Sequence, residues 1–149
     1  MTTMERTSFA IALESEPKPS DINTVIVGLT QFNAAQSAGE TPQYLLVSIR
    51  NGEGAMVGGL FGATYLGWLQ VQAIWLPEDL RGHGHGSALL EIAEKEGLRR
   101  GCKQAFLETL SFQALPFYEK RGYAIFSELR DFPPGGARYA LTKRLDTNA

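Results

Sequence analysis

The sequence predicts a single α/β domain built on a mixed sheet, antiparallel in most of its strands and parallel in one pair. Three observations carry this expectation. The segment Arg81-Gly82-His83-Gly84-His85-Gly86-Ser87 stands between an apolar run ending at Leu76 and an amphipathic stretch opening at Ala88, which is the order strand, tight turn, helix. A second β-type run, Ala105 to Thr109, follows that helix, and strand, helix and strand within about forty residues make a parallel crossover. Turn signals before and after it, Asn51-Gly52-Glu53-Gly54 and Asp131-Phe132-Pro133-Pro134-Gly135-Gly136, mark antiparallel hairpins.

At 149 residues the chain suits one domain with its own core, taken here as 1–149. No repeat, low-complexity tract or interdomain linker interrupts it. Phe9, Ile11 and Leu13 alternate with smaller or polar neighbours as a first strand, stopped by Pro17-Lys18-Pro19. Ser20 or Asp21 caps a helix whose apolar stripe, Ile22, Val25, Ile26, Leu29 and Phe32, is read as core. Strands follow at Gln43 to Ile49, Ala55 to Tyr65 and Trp68 to Leu76, and Gly58, Gly59 and Gly62 mark bulges or close approach. The helix after the glycine loop pairs Glu91 with Lys95 at i,i+4 and ends at Arg99-Arg100-Gly101. A short helix spans Phe112 to Lys120, and Tyr123 to Leu129 with Arg138 to Leu145 makes the closing hairpin. The last strand leaves an edge that must be covered or paired.

Composition narrows the function. The 44% apolar and 20% charged content is that of an ordinary soluble globule. A net charge of −2 argues against nucleic acid or an anionic membrane as partner. No apolar run reaches membrane-spanning length. Met1 to Ser8 shows no apolar core behind a basic start, and a single cysteine, Cys102, excludes an internal disulfide framework. A cytoplasmic protein is expected.

The glycine loop carries the chemistry. Its alternate glycines free the backbone to turn with several N–H groups aimed one way. The following helix start adds unpaired N–H groups and the positive end of its dipole, a phosphate cradle. Arg81 supplies a permanent charge with a planar donor fork. A Walker A loop would need a lysine before Ser87, and the dinucleotide fingerprint would need a third glycine where Ser87 stands. Glu108, 22 residues beyond Gly86, lends little to a nicotinamide oxidoreductase, because too few βα units follow. His83 and His85, at i,i+2 with no Cys-x-x-Cys or acidic cluster nearby, fall short of a zinc site, and no metal is expected.

Arg81, Gly84 and Gly86 do fit Arg/Gln-x-x-Gly-x-Gly/Ala, and this loop resembles the acetyl-CoA pyrophosphate loop of the GNAT N-acetyltransferase family. The segment from Ser111 to Tyr123 resembles the family's later motif, a small polar residue, then Ala, then Phe-Tyr-x-Lys-x-Gly-Phe/Tyr. The resemblance covers about residues 43 to 145; the first 42 match in layout only. It implies helices on both faces of the sheet and a parallel strand pair, β-runs 73–76 and 105–109, splayed to admit the pantetheine arm. Ile74, Trp75 and Leu76 then contact pantetheine, Arg81, Gly82, His83, Gly84, His85, Gly86 and Ser87 line the pyrophosphate, and Ser111 stands where many members carry Asn against the cofactor arm.

The activity so implied is transfer of the acetyl group of acetyl-CoA to a primary amine, small molecule or peptide, by direct attack through a tetrahedral intermediate. Tyr118 is the implied general acid for the leaving thiolate. Gln70 and Gln72 cannot act as bases, and Glu108 is the nearest candidate carboxylate. A homodimer is expected, as is common among similar proteins, with the 131–136 loop and the helix 22–32 bordering the acceptor pocket. A non-catalytic acyl-CoA-binding module or sensor on the same fold is the alternative, since it needs the loop but not Tyr118.

Overall fold

The computed structural model describes residues 8–147. The chain separates into two units, 1–39 and 40–149. In the first, residues 8–18 form no strand, so the strand expected at Phe9 to Leu13 is not made; alternation supplies a pattern, but a strand needs a partner's ladder. The helix α1, Pro19–Gln36, has its N-cap two residues before the first of its expected caps, Ser20 and Asp21. Lys18 occupies the N-cap without a side-chain bond and Pro19 sits in the first turn, where its missing N–H costs nothing. No residue of α1 is buried, so its apolar stripe is not core. Among the described residues it is the sole helix of its unit, and a stripe needs an opposing surface before it can be buried. The reading of Met1 to Ser8 lies, except for Ser8, outside the described residues.

The second unit holds a six-stranded sheet: β1 Gln43–Arg50, β2 Met56–Tyr65, β3 Trp68–Trp75, β4 Gln104–Leu110, β5 Ala124–Arg130 and β6 Ala137–Arg144. The spatial order is β1-β2-β3-β4-β6-β5. Among the described residues only β3 and β4 run parallel, joined by α2, His85–Arg99. The fold class is the one expected, a mixed α/β fold with a mostly antiparallel sheet. The last strand, however, is not an edge: β6 is paired to β4 and to β5, and β5 is the exposed border. A hairpin pattern fixes which strands pair with each other and leaves open which of the two faces the rest of the sheet.

One sheet face carries Leu60, Leu69, Val71, Ala105, Leu107 and Leu141 against Leu89, Leu90 and Ala93 of α2. These side chains alternate with outward neighbours along each strand. The C-terminus of α2 is closed as the sequence indicates. Gly101 takes φ +91, its N–H donates to Leu98 O at 2.9 Å, and Cys102 N–H donates to Gly97 O at 2.8 Å, a Schellman closure. Arg100 ties this end to the sheet by donating to the Gln43 carbonyl and to Thr64 Oγ1. Cys102 is buried, which raises its thiol pKa and keeps it from acting as a nucleophile.

One irregularity positions the site. Phe61 faces Ala73 on β3 while Gly62 faces Val71, so Gln72 is an extra residue, a β-bulge. Gly62 permits the close approach, since a Cβ there would lie 2.5 Å from the Gln70 carbonyl oxygen. Beyond the bulge β3 stays with β2 and leaves β4. The parallel register stops at Val71–Leu107, although β3 continues to Trp75 and β4 to Leu110.

Candidate active site

Two cavities meet at this parting of strands. The first, about 370 Å³, is lined by residues of the β3 end, the glycine loop and α3, Leu115–Lys120. Ile74, Trp75, Leu76, Arg81, Gly82, Gly84, His85, Gly86 and Ser87 all line it. The second, about 340 Å³, lies between the separated strands and is lined by Gln72, Glu108, Thr109, Gln113 and neighbours. Tyr118 lines both.

The loop reaches its shape through left-handed backbone at Gly82 (φ +78) and Gly84 (φ +83), conformations that glycine alone adopts without steric cost. Gly84 is the N-cap of α2 and, lacking a side chain, caps nothing. Ala88 N–H takes the Gly84 carbonyl at 3.1 Å, which leaves the N–H groups of His85, Gly86 and Ser87 without helical acceptors. The helix thus starts earlier than Ala88, and Gly86 and Ser87 belong to its first turn. Gly86 is needed for packing: a Cβ there would stand 3.1 Å from the Phe117 ring of α3. Arg81 is held over Trp75, 5.4 Å from the ring centroid, while its Nε donates to the Leu76 carbonyl at 2.9 Å. Its terminal nitrogens have no partner among the described residues.

These features fit a diphosphate ester. The cavity offers uncapped helix N–H groups, a cradle open above Gly82 and Gly84, where a Cβ would meet nothing within 4 Å, and a guanidinium at each side. The second guanidinium, Arg121, was not foreseen. It stacks 4.0 Å over Phe117, donates through Nη1 to the Phe117 carbonyl, and lines the cavity. Its Nε is buried without a hydrogen-bond partner among the described residues, an orphan donor of the kind a bound anion satisfies. Ala114 and Phe117 were likewise missed, although the spacing of the Ala and Phe-Tyr pair to the loop could have shown them.

Two expected contacts are not brought to the cavity. His83 does not line it, though His85 does; His83 stands between the two left-handed residues Gly82 and Gly84, whereas His85 is already the first residue of α2. Ser111 lines neither cavity. Its hydroxyl accepts from Ala137 N–H at 3.0 Å and its own N–H donates to the Ala137 carbonyl, so it anchors the start of β6. The nearby polar side chain at the parted strands is Gln113, whose Oε1 accepts from Leu110 N–H at 2.7 Å.

Tyr118 and Tyr123 stand side by side, ring centroids 6.1 Å apart, yet their hydroxyls differ. Tyr123 donates to Glu94 at 2.9 Å, and Lys143 donates to the same carboxylate at 2.8 Å. The Tyr118 hydroxyl has no partner among the described residues and faces the cavities. Burial raises its pKa above the ordinary phenol value, so it carries its proton at neutral pH. Glu108 lines the space between the strands and is paired with the Arg138 guanidinium. That guanidinium stands 4.9 Å over the Phe132 ring, which joins the β5–β6 loop to the parted strands. Among the described residues no group of three His, Cys, Asp or Glu side chains could hold a metal ion, and no helix is long and apolar enough to cross a membrane.

Comparison with known proteins agrees with this geometry. The model of the acetyltransferase (GNAT) family matches residues 9–123, so the family match includes the N-terminal stretch expected to resemble it only in layout. An acetyltransferase of Agrobacterium fabrum is 36% identical over 116 residues, 78% of this chain and 85% of the relative. Blasticidin-S acetyltransferase of Streptomyces morookaense is 38% identical over 93 residues, 62% of this chain and 68% of that one. A crystal structure from Agrobacterium tumefaciens superposes with a TM-score of 0.84 at 33% identity, covering 91% of this chain and 99% of its own. The protein is an acyltransferase and belongs to the GNAT acetyltransferase family.

Proposed function

We propose that the protein transfers the acetyl group of acetyl-CoA to the nitrogen of a small primary amine. The observation that carries this reading is the parting of β3 and β4 between two cavities that share Tyr118. In it, the loop and Arg121 hold the diphosphate, and the pantetheine arm lies along Ile74, Trp75 and Leu76. The backbone of β3 beyond Val71, freed from β4, offers N–H groups to the thioester oxygen as negative charge develops there. The amine enters from the Glu108 side. Its nitrogen adds to the acetyl carbon to give a tetrahedral intermediate, and as that collapses the carbon–sulfur bond breaks and the Tyr118 hydroxyl gives its proton to the departing sulfur. Glu108, engaged by Arg138, serves to attract and orient the ammonium and to receive its proton through water. The small-molecule acceptor of the blasticidin-S acetyltransferase relative supports a low-molecular-weight amine.

Thermal unfolding tests the cofactor half directly: acetyl-CoA and CoA raise the midpoint and a nicotinamide dinucleotide does not, whereas a larger response to the dinucleotide would refute the assignment. The orphan donor gives a sharper check. Arg121→Gln weakens CoA binding by about tenfold to a hundredfold, because a hydrogen bond to a charged group contributes about 1.5–3 kcal/mol. Calorimetric titration reads this, and an unchanged affinity would remove Arg121 from the site.

The reading includes a homodimer in the cytoplasm, with β5 as the strand available for pairing. Ile125, Phe126 and Leu129 are exposed along it, an edge that proteins ordinarily cover or pair. Light scattering then gives twice the chain mass, and a mass near 16.3 kDa would leave β5 unpaired.

A further inference from the structure

We infer that the acceptor is a primary amine carrying a flat aromatic or heteroaromatic ring, and that Trp68, Phe106 and Tyr44 hold the ring. The inference rests on the acetyl-transfer reading and names the substrate class for the same site. Along β3, Leu69 and Val71 point into the core, so Trp68, Gln70 and Gln72 occupy the opposite face. Along β4, Ala105 and Leu107 are buried and Phe106 and Glu108 alternate with them. A cavity of about 150 Å³ lies on that opposite face, with Tyr44, Tyr65, Trp68, Phe106, Gln70 and Gln72 among its walls. Trp68 and Phe106 meet edge to face at 5.8 Å, which gives the cavity a rigid aromatic wall suited to another ring.

This cavity neighbours the one between the parted strands, and Gln72, the bulge residue, is a wall of both. Phe106 and Glu108 are two residues apart on one strand, so their side chains stand about 7 Å apart along it. A ring seated against Phe106 and Trp68 therefore places an amine on a short aliphatic arm beside Glu108, within reach of the thioester. Charge decides the orientation. Among the described residues no charged side chain lines the aromatic cavity, and Glu108, ion-paired with Arg138, is the one charged residue lining the space between the strands. The ammonium goes to Glu108 and the ring to the aromatic end. Gln72 Nε2 donates to Gln70 Oε1 at 3.5 Å, which leaves the Gln72 carbonyl oxygen and the Gln70 amide hydrogens for a polar ring edge. Polyamines and aminosugars fit less well, since their further ammonium groups find no second carboxylate among the described lining residues.

The test measures thiol release from acetyl-CoA with tryptamine, n-hexylamine, spermidine and kanamycin, for the wild type and Trp68→Leu. The wild type prefers tryptamine to hexylamine in kcat/KM by about tenfold or more, and Trp68→Leu collapses that ratio through KM while the thermal response to acetyl-CoA persists. Tyr44→Ala, at an exposed position, repeats the measurement without burdening the fold. Faster turnover of spermidine or kanamycin, or an unchanged ratio in both variants, would overturn the acceptor class and leave acetyl transfer standing. If no amine releases thiol, acetyl transfer is what fails. The ring site is then read by calorimetric titration of tryptamine onto the CoA-bound protein: binding lost in Trp68→Leu supports it, and absence of wild-type binding overturns it.

Discussion

Tyr118→Phe lowers turnover by about 10²–10⁴-fold, the range of a lost general acid, while CoA affinity stays within a few-fold. The substitution removes one oxygen that has no partner among the described residues, so the fold is spared the penalty of an orphaned group. The ring contacts to Phe117 and Tyr123 remain. The pH profile separates the acid from the acceptor. Rates climb with pH as the amine loses its proton, toward about pH 10.4 for a lysine-like amine. Burial raises the Tyr118 pKa, so loss of the acid shows as a falling limb only above the ordinary phenol value of about 10. The Phe variant keeps the climb and lacks that fall. Stability has the same sign. Tyr118 and Tyr123 both have raised pKa values, chiefly through burial, with Glu94 adding to the shift at Tyr123. The folded state therefore retains protons that the unfolded chain gives up above about pH 10, and their stabilising contribution, full below that pH, is lost as pH rises beyond it. A Phe variant with wild-type turnover would remove Tyr118 from the chemistry.

Gly84→Val abolishes the thermal response to acetyl-CoA, a loss of about 2.7 kcal/mol at a ligand concentration 100 times the dissociation constant. Two effects combine. At φ +83 a β-branched residue costs the fold about 1–2 kcal/mol. The added carbons also occupy the open side of the loop, where a Cβ meets no protein atom within 4 Å and where the diphosphate must approach the backbone. Gly84→Ala separates the two: it carries most of the backbone cost with less bulk, so some cofactor response returns. A Val variant that still responds fully to acetyl-CoA would show that the loop does not hold the diphosphate.

The parts of the fold legible in the sequence were those governed by local chemistry. Asn51 accepts from Glu53 and Ala55 N–H groups, as an Asx turn does. Gly101 closes α2, and Gly58, Gly59 and Gly62 stand where backbones approach too closely for a side chain. The parallel crossover followed from loop length alone. What the sequence left hidden depends on distant partners. Phe9 to Leu13 alternate without finding a ladder, and β6 is inserted between β4 and β5, because pairing between strands remote in sequence has no local signature. In the site, the motifs placed the loop and Tyr118, while Ser111 is committed to Ala137 and Arg121 emerges at the cavity wall. Both depend on the β5–β6 hairpin and the short α3, whose first turn begins at Leu115 rather than Phe112. The Gln72 bulge, which parts β3 from β4, is signalled only from the facing strand, by Gly62, and no residue type in β3 itself marks it.

The most direct test of acetyl transfer is parallel measurement of thiol released from acetyl-CoA and of N-acetylated product formed across a panel of primary amines. Acetyl transfer to nitrogen predicts equal amounts of thiol and N-acetyl amine, dependent on both substrates and lost in Tyr118→Phe. A protein that binds acetyl-CoA tightly, gains thermal stability from it and forms no N-acetyl product with any amine would be an acyl-CoA sensor on this fold, and would contradict the enzymatic reading.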